Sequence, residues 1–232
     1  MDVLDVGCGT GAITRGIADR VGPTGSAVGV DESRAMLSGA WVDAHARPNL
    51  SFVEGDALAL PFPDDSFDVV SSARMLQWLR EPERAVAEMG RVARPGGLVV
   101  VLDYDHTAAS WEPEIHGAMV EFYASWLRWR TDAGLDNRIM LRLASLLEGA
   151  GLDDVHVTPQ VEVYAQTDDD FQTRAAIWAE VAESDVKVVA DGYVEEAVRV
   201  EAAKSYRDWL ATVGREHRLV LGCAIGNVAG KV

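Results

Sequence analysis

The feature that most constrains this chain is VLDVGCGTG, Val3 to Gly11, an apolar run that closes on an acid and is followed by glycines at alternate positions. A short unbroken apolar run reads as a strand buried on both faces. The glycines let the backbone turn sharply, with no Cβ in the way, into the helix that the spacing of Ile13, Ile17 and Val21 predicts. Strand, glycine loop and helix in that order suit a ligand-binding turn at the carboxyl edge of an α/β sheet. A dinucleotide loop of the looser form ending in alanine, here Ala12, reads the same way, and so does a tight turn with no ligand. The loop alone leaves the ligand open.

Alternation continues downstream. Ala27–Val30, Leu50–Val53, Phe67–Val70 and Leu98–Leu102 read as strands, and Ser33–His45 and Glu81–Val92 as helices. A proline-bearing loop, LPFPDDS, precedes the fourth strand, and RPGG, Arg94 to Gly97, stops the second of those helices before Leu98. This rhythm predicts a doubly wound α/β fold with a mostly parallel sheet. Chemistry-bearing residues fall at the strand ends. Asp31, in GVDES, can accept hydrogen bonds from ribose hydroxyls, which serves an NAD site as well as any other adenosine site. Asp56 and Ala57, in EGDA, place a second acid where it can accept from an adenine amino group, for which a pyrophosphate site has no special use. Each acid also has a structural reading, Asp31 as a helix cap and Asp56 as a turn former. SSARMLQWL then brings Arg74, Gln77 and Trp78 toward the crevice at the strand ends.

Composition narrows the partners. A formal charge of −16 opposes binding to a phosphate backbone, so nucleic acid is not the expected substrate. No membrane-length apolar run and no signal-peptide layout occur, which predicts a cytoplasmic protein with no membrane partner. The 2 cysteines, Cys8 and Cys223, are too few for a disulfide framework and lack zinc-site spacing, so free thiols and no metal are expected.

In order and spacing, DVGCGTG, GVDES, EGDALALPFPDDSFDVV, RMLQWL and RVARPGGLVVVLD resemble the class I methyltransferases that use S-adenosylmethionine. The likeness is closest to the small-molecule branch that includes ubiquinone, menaquinone and natural-product methyltransferases. It implies a seven-stranded Rossmann-like sheet with the last strand antiparallel, and S-adenosylmethionine as cofactor, released as S-adenosylhomocysteine. It further implies that Gly7, Gly9 and Gly11 lie against the methionine and ribose portion, that Asp31 holds the ribose, and that Asp56 with Ala57 takes the adenine. Asp5 and the segment Ala73–Arg74 would flank the amino-acid end. Fold and cofactor loop do not by themselves establish chemistry, so a cofactor-binding protein that catalyses a rearrangement or cyclisation, or acts as a scaffold, stays open.

Beyond Asp103 the resemblance thins to architecture. One domain spanning residues 1–232 is expected, with a cofactor half at 1–105 and helical caps for the substrate at 106–135 and 165–213. The loop expected after the fifth strand, DYDHTAASWEPEIHG, carries Asp103, Tyr104, Asp105, His106, Glu112, Glu114 and His116. His106 is the candidate general base, because imidazole titrates near working pH. Met119, Phe122, Trp126 and Trp129 recur on one helical face, and further helices are predicted over Phe171–Val189 and Tyr193–Ala211. Core packing explains each aromatic singly; as a set they suggest a cap over an apolar or aromatic acceptor, with Gln77, Trp78, Tyr104, Trp111, Trp126 and Trp178 as its contacts. The caps interrupt two strands, VHVTPQVEVYA and LVLGCAIGNVAG. Relatives usually carry a lid ahead of the first strand. Without one, an apolar patch around Trp78, Trp111 and Trp126 predicts a homodimer near the crevice.

Overall fold

A computed structural model describes residues 1–44 and 47–229. The predicted ends of the second helix at His45 and of the last strand at Gly230 lie outside the described residues. The chain runs β1 (Asp2–Val6), α1 (Ala12–Val21), β2 (Ser26–Asp31), α2 (Arg34–Ala44), β3 (Leu50–Glu54), β4 (Phe67–Ala73), α3 (Pro82–Val92) and β5 (Ala93–Glu112). It continues through α4 (Ala118–Asp132), α5 (Leu143–Gly149), β6 (Leu152–Ala165), α6 (Phe171–Ala175), α7 (Ile177–Ser184), α8 (Lys187–Ala190), α9 (Glu196–Thr212) and β7 (Glu216–Val228). The strands form one seven-stranded sheet in the order β3-β2-β1-β4-β5-β7-β6, with the last strand antiparallel.

The pairings β1 with β2, β1 with β4, β2 with β3 and β4 with β5 are all parallel. Strand order reverses at β1, which has β2 on one side and β4 on the other, and so opens a crevice at the carboxyl ends of these strands. Alternation along β2 sends Ala27 into one apolar cluster and Val28 and Val30 into another. The first cluster joins Ala18 of α1 and Leu37 and Ala40 of α2 to Leu50 and Phe52 of β3. The second joins Leu4, Val6, Val70 and Val99 to Val86 and Met89 of α3 and Leu143 and Leu147 of α5. Both faces are therefore covered, as a parallel sheet requires.

The chain divides into two compact units, one of residues 1–104, 139–159 and 222–232, the other of 105–138 and 160–221. In the second, α9 packs against α4 and α7.

Three expectations need correction. Arg94–Gly97 lies within β5, where the step from Phe67↔Ala93 to Val69↔Leu98 absorbs the extra residues as a break in register. The segment after Leu102 is not a loop: β5 continues to Glu112, so His106 is a buried strand residue. The helix predicted over Phe171–Val189 is three short helices, and the chain leaves α7 where Asp185 accepts the indole N–H of Trp126 at 2.9 Å. α5, which no strong periodicity singles out, supplies part of the core.

Candidate functional site

The turn after β1 is built from three residues in the left-handed region, Gly7 at φ 72°, Gly9 at φ 54° and Gly11 at φ 77°. They serve different purposes. A Cβ on Gly7 would stand 2.3 Å from Cγ of Met75, and one on Gly11 would stand 2.4 Å from the ring of Phe52, so both positions need glycine for close approach. A Cβ on Gly9 would meet nothing within 4 Å, because it would point into open space. The loop is pinned to β2: Gly7 and Cys8 N–H groups donate to the Val30 carbonyl at 2.8 and 3.0 Å, and the Gly9 N–H donates to Oδ2 of Asp31 at 2.8 Å.

Asp31 is thus both a loop anchor and a ligand candidate. Its Oδ1 accepts from the Ser33 N–H at 2.8 Å, ahead of α2. A carboxylate offers about four acceptor directions, so two remain for hydroxyls. Asp56 is exposed, and its Oδ1 accepts from the Leu58 N–H at 2.8 Å, the turn-forming bond, which likewise leaves acceptor capacity.

These residues wall a cavity of about 410 Å³ in the first unit. It brings together Gly7, Gly9, Asp31, Asp56, Ala57, Arg74 and Trp78 of the expected site. Sequence reasoning did not single out Glu32, Ser33, Met36, Gly55, Met75 and Leu79, which also line it. Their signal was adjacency: each is beside, or within five positions of, a residue already chosen. Among the lining residues Asp31, Glu32 and Asp56 are acids and Arg74 is the one cation. That balance suits a ligand with cationic groups and a single carboxylate better than a pyrophosphate. Arg74 has φ 62°, rare for a side chain with a Cβ, and its guanidinium lies 5.4 Å from the centre of the Tyr104 ring. Strain of this kind gathers where a side chain must be aimed.

Five expected residues of the first unit are placed off this wall. Asp5 is buried beneath the loop and accepts from the Thr14 hydroxyl at 2.6 Å. Burial pushes its carboxyl up to about 6, the Thr14 bond opposes this, and the Asp31 charge adds to it. Gly11 faces Phe52 and starts α1. Ala73 ends β4 just ahead of Arg74. Gln77 turns inward within the 3₁₀ turn Leu76–Trp78, its amide donating to the Arg74 carbonyl at 3.2 Å and its backbone N–H to the buried Asp103 carboxylate at 3.1 Å. Tyr104 is buried under Arg74. Burial also raises the Cys8 thiol to about 12, with Asp5 and Asp31 adding to the effect, which disfavours the thiolate.

The second unit holds a cluster of aromatic rings. The Trp178 ring stands edge-on to Tyr123 at 4.7 Å and to Trp126 at 5.3 Å, and Trp111 stacks on His217 at 5.1 Å. The Trp178 indole N–H donates to His217 Nε2 at 2.9 Å, so the proton sits on Nδ1 and is given to the Ser110 carbonyl, 3.1 Å away. Trp126 and Trp178 are therefore interior residues. Trp126 belongs to no exposed patch, because its ring is closed in and its N–H is satisfied by Asp185. His106 lies edge-on to Trp126 at 5.1 Å. Burial, and secondly the charge of Arg130, push its imidazole down to about 3. Such a ring is neutral near pH 7 and a weak base. Among the described residues, no group of three or more His, Cys, Asp or Glu could hold a metal, and no helix is long and apolar enough to cross a membrane.

Comparison with known proteins adds the lineage. Residues 4–101 match the methyltransferase domain family. A demethylmenaquinone methyltransferase from Bacillus licheniformis is 33% identical over 174 residues, which cover 67% of this chain and 72% of that protein. Among solved structures, the [4+2]-cyclase SpnF superposes with a TM-score of 0.59 at 22% identity, covering 99% of this chain and 76% of that one. A phosphoethanolamine N-methyltransferase of Haemonchus contortus, in complex with S-adenosyl-L-methionine, gives 0.60 at 20% identity, covering 100% and 49%. At those identities the two structures share the fold.

Proposed function

The chain belongs to the small-molecule methyltransferases of the class I, S-adenosylmethionine-dependent kind, and from that premise we propose that its acceptor is an apolar or aromatic metabolite of the kind natural-product pathways modify. The observation that carries the reading is the cavity beside the glycine loop, where three acids and one arginine surround a wall left free of a Cβ at Gly9. Its volume of about 410 Å³ falls within the ordinary range for small-molecule sites.

When bound, S-adenosylmethionine supplies an electrophilic methyl carbon on a sulfonium sulfur. This chain's residues hold and orient it. Asp31 accepts from the ribose hydroxyls with the capacity that Gly9 and Ser33 leave over. Asp56, with Ala57, accepts from the adenine amino group. Arg74, aimed by its left-handed backbone, pairs with the carboxylate end. Asp5 and Gln77 act indirectly, the first through Thr14 and α1, the second through the Arg74 carbonyl. Rate enhancement then rests on in-line positioning of the acceptor, which can supply effective molarities on the order of 10⁵ M or more. His106, neutral and enclosed, serves as core and not as the base. The acceptor's apolar character is supported by the side chains of Met36, Met75, Trp78 and Leu79, which line the same cavity.

The protein is further proposed to work in the cytoplasm and to dimerise near the crevice rim, where Trp78 is 50% and Met36 51% exposed. Light scattering at micromolar concentration tests the dimer, and a strict monomer refutes it. The acceptor reading is tested by incubating the protein with S-adenosylmethionine and a panel of phenols, quinols and polar amino acids. Mass spectrometry should find products one methylene heavier, with S-adenosylhomocysteine released, from the aromatic members. Methylation confined to the polar acceptors overturns it.

A further inference from the structure

The second unit contains a cavity of its own, of about 370 Å³. Its walls include the rings of Trp111 and Tyr123, set edge to face at 5.2 Å, the aliphatic side chains of Ile115, Val120 and Leu127, and one charged group, Glu114. The polar ends of both rings are already used. The Trp111 indole N–H donates to the Tyr206 hydroxyl at 3.0 Å, and the Tyr123 hydroxyl donates to the His106 carbonyl. What the two residues have left for a ligand is π surface. The Trp111 ring is also fixed by stacking on His217, whose two nitrogens are held by Trp178 and Ser110. The carboxylate of Glu114 makes no hydrogen bond or ion pair among the described residues.

A rigid aromatic corner with its donors turned away, a free carboxylate at its edge and apolar walls has one ligand chemistry that uses all three. A cation is drawn to the ring faces by their quadrupole, and an anion beside them adds to that attraction. The formal charge of −16 concentrates cations at the surface of this protein. We propose that this cavity is a binding site for a small organic ammonium ion with an apolar or aromatic tail, its nitrogen between Glu114 and the Trp111–Tyr123 corner and its tail against Val120 and Leu127. The site stands on the geometry of the second unit alone and does not depend on the identity of the methyl acceptor.

Saturation-transfer NMR on the full chain without cofactor, titrating 2-phenylethylamine and its neutral counterpart 2-phenylethanol, tests the proposal. The wild type should bind the amine about three- to tenfold more tightly than the alcohol. Glu114→Gln should bring the amine to the affinity of the alcohol and leave the alcohol unchanged, since only the charge is removed. Val120 is 47% exposed, so Val120→Trp should fold normally while filling the cavity, and binding of both probes should be lost with no change in melting temperature. Equal affinity for amine and alcohol in the wild type, a preference that survives Glu114→Gln, or undiminished binding by a folded Val120→Trp variant each overturns it.

Discussion

Alanine at Gly9 and alanine at Gly11 are the same chemical change at backbone angles of the same sign, φ 54° and 77°, yet they should fail in different ways. Forcing alanine into the left-handed region costs about 1–2 kcal/mol at either position. At Gly9 that is the whole cost to the free protein, because the added Cβ meets nothing within 4 Å. For a chain of this size it corresponds to a fall in melting temperature of about 2–8 °C. At Gly11 the Cβ would also lie 2.4 Å from the Phe52 ring, which is 8% exposed and fixed in the cluster around α1 and α2. Overpacking adds about 1–3 kcal/mol and takes the drop to about 4–20 °C. Affinity should show the opposite order. A Cβ on Gly9 would stand in the cavity proposed to hold S-adenosylmethionine, so calorimetry should find Kd raised by about tenfold or more, roughly 1.4 kcal/mol or greater. Gly11→Ala, measured below its melting point, should bind with a smaller loss. If Gly9→Ala keeps wild-type affinity, or melts as low as Gly11→Ala, the assignment of Gly9 to the ligand wall is wrong.

Four further outcomes follow from the same geometry. Asp31→Ala should weaken S-adenosylmethionine binding by about 1.5–3 kcal/mol in calorimetry, the range for hydrogen bonds to a charged group, and unchanged affinity would remove Asp31 from the site. Arg74→Gly should lower affinity about tenfold while the melting temperature stays within about 2 °C of wild type, because relief of the left-handed strain offsets the lost contact with Tyr104; a large loss of stability would show that Arg74 is mainly structural. Acid should destabilise the protein through two buried imidazoles: burial holds His106 near 3 and His217 near 4 in the fold, below the unfolded value of about 6.5. Their contribution is complete above about pH 6.5 and is lost as pH falls toward those folded values, about 2 kcal/mol each by pH 5. His217→Gln should therefore lose less stability than wild type between pH 7.5 and pH 5 in urea melts, and an equal loss would refute the assigned environment. The pH profile of kcat should likewise carry no inflection between pH 5 and 8 that His106→Asn removes.

The sequence by itself determined the elements whose signal is local. An apolar run can be read without knowing its neighbours, and glycine at alternate positions reports backbone angles that only glycine adopts at no cost, so β1, the loop, Asp31 and Asp56 were all legible. That the first strands run parallel followed from the alternation of strand and helix, because a crossover brings the chain back to the same end of the sheet, whereas their order around β1 was set by the tertiary structure. Tertiary structure decided everything that depends on what a residue meets. That β5 runs on to Glu112 is set by pairing and register, which are long-range, and with it went the reading of His106 as a loop base. Gln77, Trp126 and Trp178 carry the residue types of a binding site, but their hydrogen bonds with Arg74, Asp185 and His217 place them inside. Whether Gly7, Gly9 and Gly11 face a ring, a side chain or open space is likewise invisible in a string of letters, since it depends on Met75 and Phe52, tens of residues away in sequence and within 3 Å of where a Cβ on Gly7 or Gly11 would stand.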